Sequence, residues 1–295
     1  MDKALRVITE DATLVAVALD STEMVRRAEQ IHQTSAVVTA ALGRLLTAAS
    51  MIGTMLKGKD DSVTLRVRGD GPVGQLLAVT DCDGNVRGYA QNPIVEGLPM
   101  RPDGKLPVGA AVGENGLLYV IRDAGGKEPY VGCTPLVNGE IAEDITQYYA
   151  DSEQTPTVCA LGVLVNPDLT VQVAGGLFIQ LLPFCPDEVI ERLEKNLAAL
   201  PSMTQMLSQG LTPEQICARA LDGFAYNELE SYQPEYRCNC SRERVEQAFA
   251  TMSAEQLREM PDENGRVEVT CSFCDKVYTF NEVQIEQMAK ILEKK

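Results

Sequence analysis

Near the end of the chain two pairs of cysteines, Cys238-Asn-Cys240 and Cys271-Ser-Phe-Cys274, stand about 30 residues apart. A stretch of roughly 60 residues that holds both pairs cannot bury much apolar surface, so a module this small needs a staple. Two close-set pairs on facing loops supply one: a zinc ion takes four thiolate or imidazole ligands in a tetrahedron, with sulfur at about 2.3 Å. The only histidine, His32, lies far away in sequence, so the expected ligand set is Cys238, Cys240, Cys271 and Cys274, holding one zinc per chain. A closed four-thiolate site leaves no position for water, which argues against hydrolytic zinc catalysis.

Four thiolates around a divalent cation leave a formal charge of about minus two, which the flanking Arg237, Arg242, Arg244 and Lys276 are placed to offset. Two readings of such a site stay open from the residues alone. In one the zinc is structural, in a static ribbon. In the other the thiolates are the first targets of peroxide or hypochlorous acid, and each close pair resolves a sulfenic acid into a local disulfide. Oxidation then expels the metal. Binding free energy of a structural zinc is also folding free energy, so the module unfolds with its loss.

The rest of the chain sets the context. At 295 residues it predicts one large domain with one or two small modules. The 45% hydrophobic content with Trp 0 points to an aliphatic core. No stretch approaches the roughly 20 apolar residues of a membrane span, and Met1 to Val15 carries acidic residues where a signal peptide has its apolar run. Nine cysteines, an odd count in a long chain of this kind, favour reduced thiols and a cytoplasmic location. The net charge of -16 opposes binding to nucleic acid.

Residues 1–182 predict an α+β domain. Runs rich in β-branched residues (Leu14 to Leu19, Val63 to Val67, Gln75 to Thr80, Leu117 to Ile121, Val158 to Val165 and Thr170 to Leu182) read as strands of mostly antiparallel sheets. Between the first two, Thr22 to Leu56 reads as two helices opened by Asp20 with Glu23, and a later helix covers about Gly139 to Tyr149. Residues 183–235 predict a linker of short helices, one carrying Ile190, Leu193 and Leu197, another opened by Thr212-Pro213 with Gln215. Helices this short need something to lie on. Residues 236–295 form the cysteine module. In it Ser241, Ser253 with Gln256, and Asn281 with Gln284 cap three helices, and Val267 to Val269 and Val277 to Phe280 flank Cys271 and Cys274 as strands.

Other motifs carry less. Gly69, Gly71 and Gly74 fit a dinucleotide fingerprint, but that motif must open a helix, and here Pro72 and the run from Gln75 read as turn into strand. Arg68-Gly69-Asp70 reads as a turn, His32 as a satisfied local hydrogen bond, and Cys82, Cys133, Cys159, Cys185 and Cys217 as small buried hydrophobes. One histidine supports no Ser/His/Asp set, and no catalytic residue is expected.

The stretch Cys238-Asn-Cys-Ser-Arg-Glu-Arg244 with Val269-Thr-Cys-Ser-Phe-Cys-Asp-Lys-Val-Tyr278 closely resembles the 33 kDa chaperonin family, the redox-regulated heat-shock holdases of bacteria. Leu42 to Ala48, Arg68 to Gly74, Asp83 to Tyr89 and Gly210 to Glu214 extend the resemblance through most of the chain. It implies zinc held by reduced thiols, disulfides Cys238 to Cys240 and Cys271 to Cys274 on oxidation, an unfolding linker, and a homodimeric active form. It also implies binding of unfolding client proteins without ATP, in the stress response. Two other readings stand beside it. A zinc-ribbon adaptor for nucleic acid or protein would keep the metal purely structural. A thiol oxidoreductase using Cys271 and Cys274 would place the pair at a helix start, whereas strand-like residues flank it here.

Overall fold

Apolar and polar residues alternate over residues 62–68, and the computed structural model, which describes residues 1–126 and 128–293, turns that alternation into a one-sided strand. Among the described residues the chain divides into two units, Met1–Arg237 and Cys238–Lys295. The class is α+β, as expected.

The first unit holds two antiparallel five-stranded sheets. The first sheet comprises β1 (Lys3–Thr9) and β2 (Leu14–Asp20), with β8 (Thr157–Val165), β9 (Val171–Leu181) and β10 (Tyr226–Tyr232), in the order β10-β1-β2-β9-β8. The second comprises β3 (Ser62–Arg68), β4 (Gln75–Asp81), β5 (Val86–Ala90), β6 (Leu117–Asp123) and β7 (Tyr130–Pro135), in the order β5-β4-β3-β6-β7. Helices α1 (Thr22–His32), α2 (Ala36–Gly53), α3 (Val108–Val112) and α4 (Ala142–Asp151) complete the domain.

α2 is the centre of the core. All its residues except Ala36 and Arg44 are buried, packed with Val17 and Leu19 of the first sheet and Val63, Leu65 and Leu76 of the second. Its length and mean hydropathy of 1.5 would suit a membrane span, an apolar run longer than the sequence alone suggested. Burial on every side is what calls for it here. The second sheet has one buried face, and burial accordingly alternates residue by residue along β3 and β4. The first sheet is covered on both faces, and β2 from Leu14 to Leu19 and β9 from Val173 to Ile179 accordingly carry no polar side chain.

The covering of that other face comes from α5 (Asp187–Ala199), α6 (Met203–Ser208) and α7 (Pro213–Ala220). Leu193, Met206, Leu207, Ile216 and Cys217 pack there on Leu5, Val7, Leu14, Leu177 and Ile179. Capping boxes begin two of these helices, Ser202 with Gln205 and Thr212 with Gln215. Arg192 donates to the Gly223 carbonyl at 2.8 Å and Asn196 to that of Asp222 at 2.9 Å, tying α5 to the turn after α7. The stretch read as helical also contains a strand, β10, paired to β1 from Ala4↔Tyr232 to Thr9↔Tyr226. Its residues Asn227 to Ser231 are exposed, so backbone pairing at a sheet edge holds it and no hydrophobic pattern marks it in sequence.

The start of α1 also differs from expectation. Ser21 occupies the cap position but its hydroxyl pairs with that of Thr47 at 2.7 Å and does not cap the helix, and Asp20 accepts from Thr22. The α1 amides of Glu23 and Met24 donate instead to the carboxylate of Asp2, at 2.8 and 2.7 Å. A cap from 21 residues away is invisible to a local pattern.

The second unit runs α8 (Arg242–Phe249), α9 (Ala254–Arg258), β11 (Arg266–Thr270), β12 (Val277–Asn281) and α10 (Glu282–Leu292). Ser241, Ser253 and Asn281 cap its helices as the sequence predicts, the last two with reciprocal bonds from Gln256 and Gln284. Phe249, Leu257, Val267, Tyr278, Phe280, Ile285 and Ala289 form its core.

Candidate metal centre

β11 and β12 pair antiparallel from Arg266↔Asn281 to Thr270↔Val277. Cys271 and Cys274 therefore sit at the tip of the hairpin, where a tight turn is forced. Cys271 donates its amide to the Lys276 carbonyl at 3.0 Å, and its own carbonyl accepts from Asp275 at 2.9 Å. Asp275 takes a left-handed φ of 56° to close the turn, one of the few conformations an Asp tolerates there. Cys238 and Cys240 come from the extended segment that ends at the Ser241 cap of α8.

The four Sγ atoms lie within 4.8 Å of one another. Cys238 Sγ stands 3.6 Å from Cys271 Sγ, and Cys240 Sγ 3.4 Å from Cys274 Sγ. A tetrahedron with sulfur at about 2.3 Å from its centre has edges of about 3.8 Å, so the donor set fits a zinc ion in type, number and spacing. All nine cysteines are free thiols, and the four at this site are half-buried. Among the described residues this is the one group of three or more Cys, His, Asp or Glu side chains placed to share a metal.

Hydrogen bonds to the sulfurs come from nearby polar groups. The Cys240 amide bonds Cys238, the Lys276 amide bonds Cys274, and the Tyr278 hydroxyl donates to Cys240 Sγ at 3.1 Å. Burial raises the Cys238 and Cys274 thiols above their ordinary range. Burial pushes Cys240 up too, but the bonds from Tyr278 and the other three sulfurs outweigh it and bring it down to about 7. That brings the Cys240 thiol within reach of ionisation near neutral pH.

Three of the four basic residues expected to offset the cluster charge, Arg237, Arg242 and Lys276, have ring, carbonyl or carboxylate partners. Arg242 lies 4.1 Å from the Phe280 ring centroid, donates to the Thr279 carbonyl at 3.0 Å and pairs with Glu246. Arg237 belongs to the first unit and pairs with Glu235 at 2.6 Å. Lys276 Nζ stands 5.1 Å from the Tyr278 ring centroid. Long cationic side chains find aromatic faces and carboxylates within reach, and short sequence distance does not hold them on the sulfurs. Tyr278 is what the sequence reading missed. Its signal lay in the alternation of β12, which puts Tyr278 and Phe280 on one buried face at the cysteine end of the hairpin.

The remaining candidates lie in the first unit. Of the five single cysteines only Cys217 is buried, its thiol pushed up to about 12 by that burial. Cys133 is exposed and Cys82, Cys159 and Cys185 are half-buried. They stand on an edge strand of the second sheet, at a turn, on an edge strand of the first sheet and in a loop, where an apolar neighbourhood in sequence does not translate into burial. His32 Nε2 is 2.9 Å from the Gly88 carbonyl and 3.1 Å from Tyr236 Oη, so it is hydrogen-bonded as expected, but to partners distant in sequence and not to a local one. Gly69 to Gly74 form the turn from β3 into β4. Gly71 donates its amide to Val112 O at 3.0 Å, and a Cβ on Gly69 would collide with that same carbonyl. Asp70 accepts from the Asn115 amide and side chain, at 3.2 and 2.7 Å. These glycines serve chain packing, and no helix follows them to hold a pyrophosphate.

The family model described as Hsp33 protein matches residues 2–281. A 33 kDa chaperonin of Lachnoclostridium phytofermentans is 47% identical over 99% of this chain and 98% of its own length, and one of Agathobacter rectalis 45% over 97% and 99%. The crystal structure of a 33 kDa chaperonin (heat shock protein 33 homolog) from Thermotoga maritima superposes with a TM-score of 0.90 at 34% identity, covering 99% of both chains. Likeness at this level, in sequence and fold and from end to end, means that the chain belongs to the Hsp33 family.

Proposed function

We propose that this chain is a redox-switched holdase whose four cysteines hold zinc when reduced. The observation that carries the reading is the cluster of Cys238, Cys240, Cys271 and Cys274, at zinc-like spacing, in a chain of the Hsp33 family. Cys238 and Cys240 before α8 and Cys271 and Cys274 on the β11–β12 hairpin would hold the zinc between them, which would tie the two segments together and keep the thiolates deprotonated. A peroxide then oxidises one thiolate to sulfenic acid as its O–O bond breaks. The second cysteine of the pair displaces that oxygen as water and closes a disulfide, Cys238 to Cys240 or Cys271 to Cys274. Each disulfide would remove two of the four thiolates able to hold the zinc, leaving too few to retain it.

The second unit is stapled by that site, so it unfolds once the disulfides form. The stretch 183–235, the linker between the domain of residues 1–182 and the module of residues 236–295, loosens next, because α6 and α7 are short helices that depend mainly on packing against the first sheet. Its apolar face and the first sheet beneath it then bind unfolding clients. The protein acts in the cytoplasm, by binding and not by catalysis, without ATP, and as a homodimer when oxidised. Hydrogen exchange with a zinc assay tests the sequence of events. Oxidant should release one zinc per chain and deprotect 187–221, and equal protection of that stretch in both redox states would defeat the proposal.

A further inference from the structure

Three observations meet at Tyr278. Its hydroxyl donates to Cys240 Sγ at 3.1 Å. The residue is 6% exposed, fixed in β12 opposite Val269 and within the core of the second unit. Lys276 Nζ lies 5.1 Å from its ring centroid. The other donors on Cys238 and Cys274 are backbone amides, which any sequence supplies. The phenol is a side-chain donor, and it reaches the sulfur only because the alternation of β12 aims it there.

We propose that Tyr278 is a positioning residue that sets how readily the site yields its metal and its thiolates to an oxidant; this rests on the zinc-holding, redox-switched reading above. A hydrogen bond to a metal-bound thiolate draws electron density from the sulfur lone pairs. The sulfur then attacks the peroxide O–O bond more slowly and competes better against protons for the metal. The lysine over the ring face sharpens the effect, since a cation there makes the phenol a stronger donor. Tyr278 thus holds the switch closed until oxidant is abundant, with no part in the electron transfer itself.

The test is Tyr278→Phe in the full chain, which keeps the ring in the core and removes only the donor. Zinc release by hydrogen peroxide is followed with a chromophoric chelator, zinc affinity by competition, and alkylation of each cysteine by mass spectrometry. The inference expects wild type and variant to bind one zinc each, with affinity about 10- to 100-fold lower and release about tenfold faster in the variant, and with Cys240 gaining most in alkylation rate. Val269→Ala thins the packing beside the ring and leaves the hydroxyl. If it speeds release as much as Tyr278→Phe, packing and not the hydrogen bond sets the threshold, and the inference falls. Identical release and affinity in Tyr278→Phe and wild type would also overturn it. A wild type that binds no zinc removes the holdase reading first and this one with it. Should Tyr278→Phe fail to fold, the cadmium-113 form of the wild type decides: scalar coupling between the metal and the Tyr278 hydroxyl proton supports the bond, and its absence overturns it.

Discussion

Ile216→Ala separates the linker from the cysteines. Ile216 is fully buried on α7, among Leu5, Val7, Leu14 and Ile179 of the first sheet, and is remote in sequence from every cysteine of the metal site. Truncating a buried Ile to Ala removes about 2–5 kcal/mol, transfer and cavity terms together. α7 spans 8 residues and α6 spans 6, too short to persist without that contact. The cost therefore falls on the attachment of α5 to α7, while the α2 core between the two sheets is untouched. A loss of about 3 kcal/mol multiplies the open population of the linker by about 150. Hydrogen exchange of residues 187–221 should accelerate by about that factor, with the amides of β3, β4 and β6 unchanged. In a light-scattering assay the reduced, zinc-loaded variant should suppress client aggregation in part, where the reduced wild type does not. The reasoning is refuted if exchange accelerates as calculated and the reduced variant stays inactive, because the linker and the sheet face it covers would then not be the client surface.

Other outcomes follow from the same structure. Stripping zinc from the reduced protein should unfold the second unit, since a module of roughly 60 residues is stable by only about 3–9 kcal/mol and a four-thiolate zinc contributes about 10 or more; near-ultraviolet dichroism of Tyr278 and exchange of β11 and β12 would report it. Asp2 is pushed up from 3.8 to about 7, by burial more than by its neighbours Asp20 and Glu23, against the two amides it accepts. The folded value lies above the unfolded one, so its contribution to stability is full below about pH 4 and is lost as pH rises through 7. Asp2→Asn should flatten that part of the melting-temperature profile. Gly69→Ala should cost about 2–4 kcal/mol by thermal melting, because the new methyl meets the Val112 carbonyl and cannot be accommodated without moving α3.

Much of this was legible in the chain because the signals are local. The Thr212–Gln215, Ser253–Gln256 and Asn281–Gln284 boxes form as their spacing predicts, and two cysteine pairs announce a shared site because few other arrangements satisfy four thiolates. What escaped depends on distant partners. Asp2 caps a helix across the fold, β10 is made by backbone bonds to β1, and Cys133 is exposed because β7 is a sheet edge. The charges beside the cysteines misled for the opposite reason, since proximity in sequence left Arg242 free to choose the Phe280 ring and Glu246. Tyr278 lay within reach, had the period of β12 been carried up to the thiols.

The most direct test is aggregation of a heat-denatured client, followed by light scattering, with this protein zinc-loaded and reduced in one sample and peroxide-oxidised with its metal released in the other. The account predicts that only the oxidised sample suppresses scattering, in step with zinc release. Equal behaviour of the two samples would contradict it and leave the four-cysteine site a structural staple.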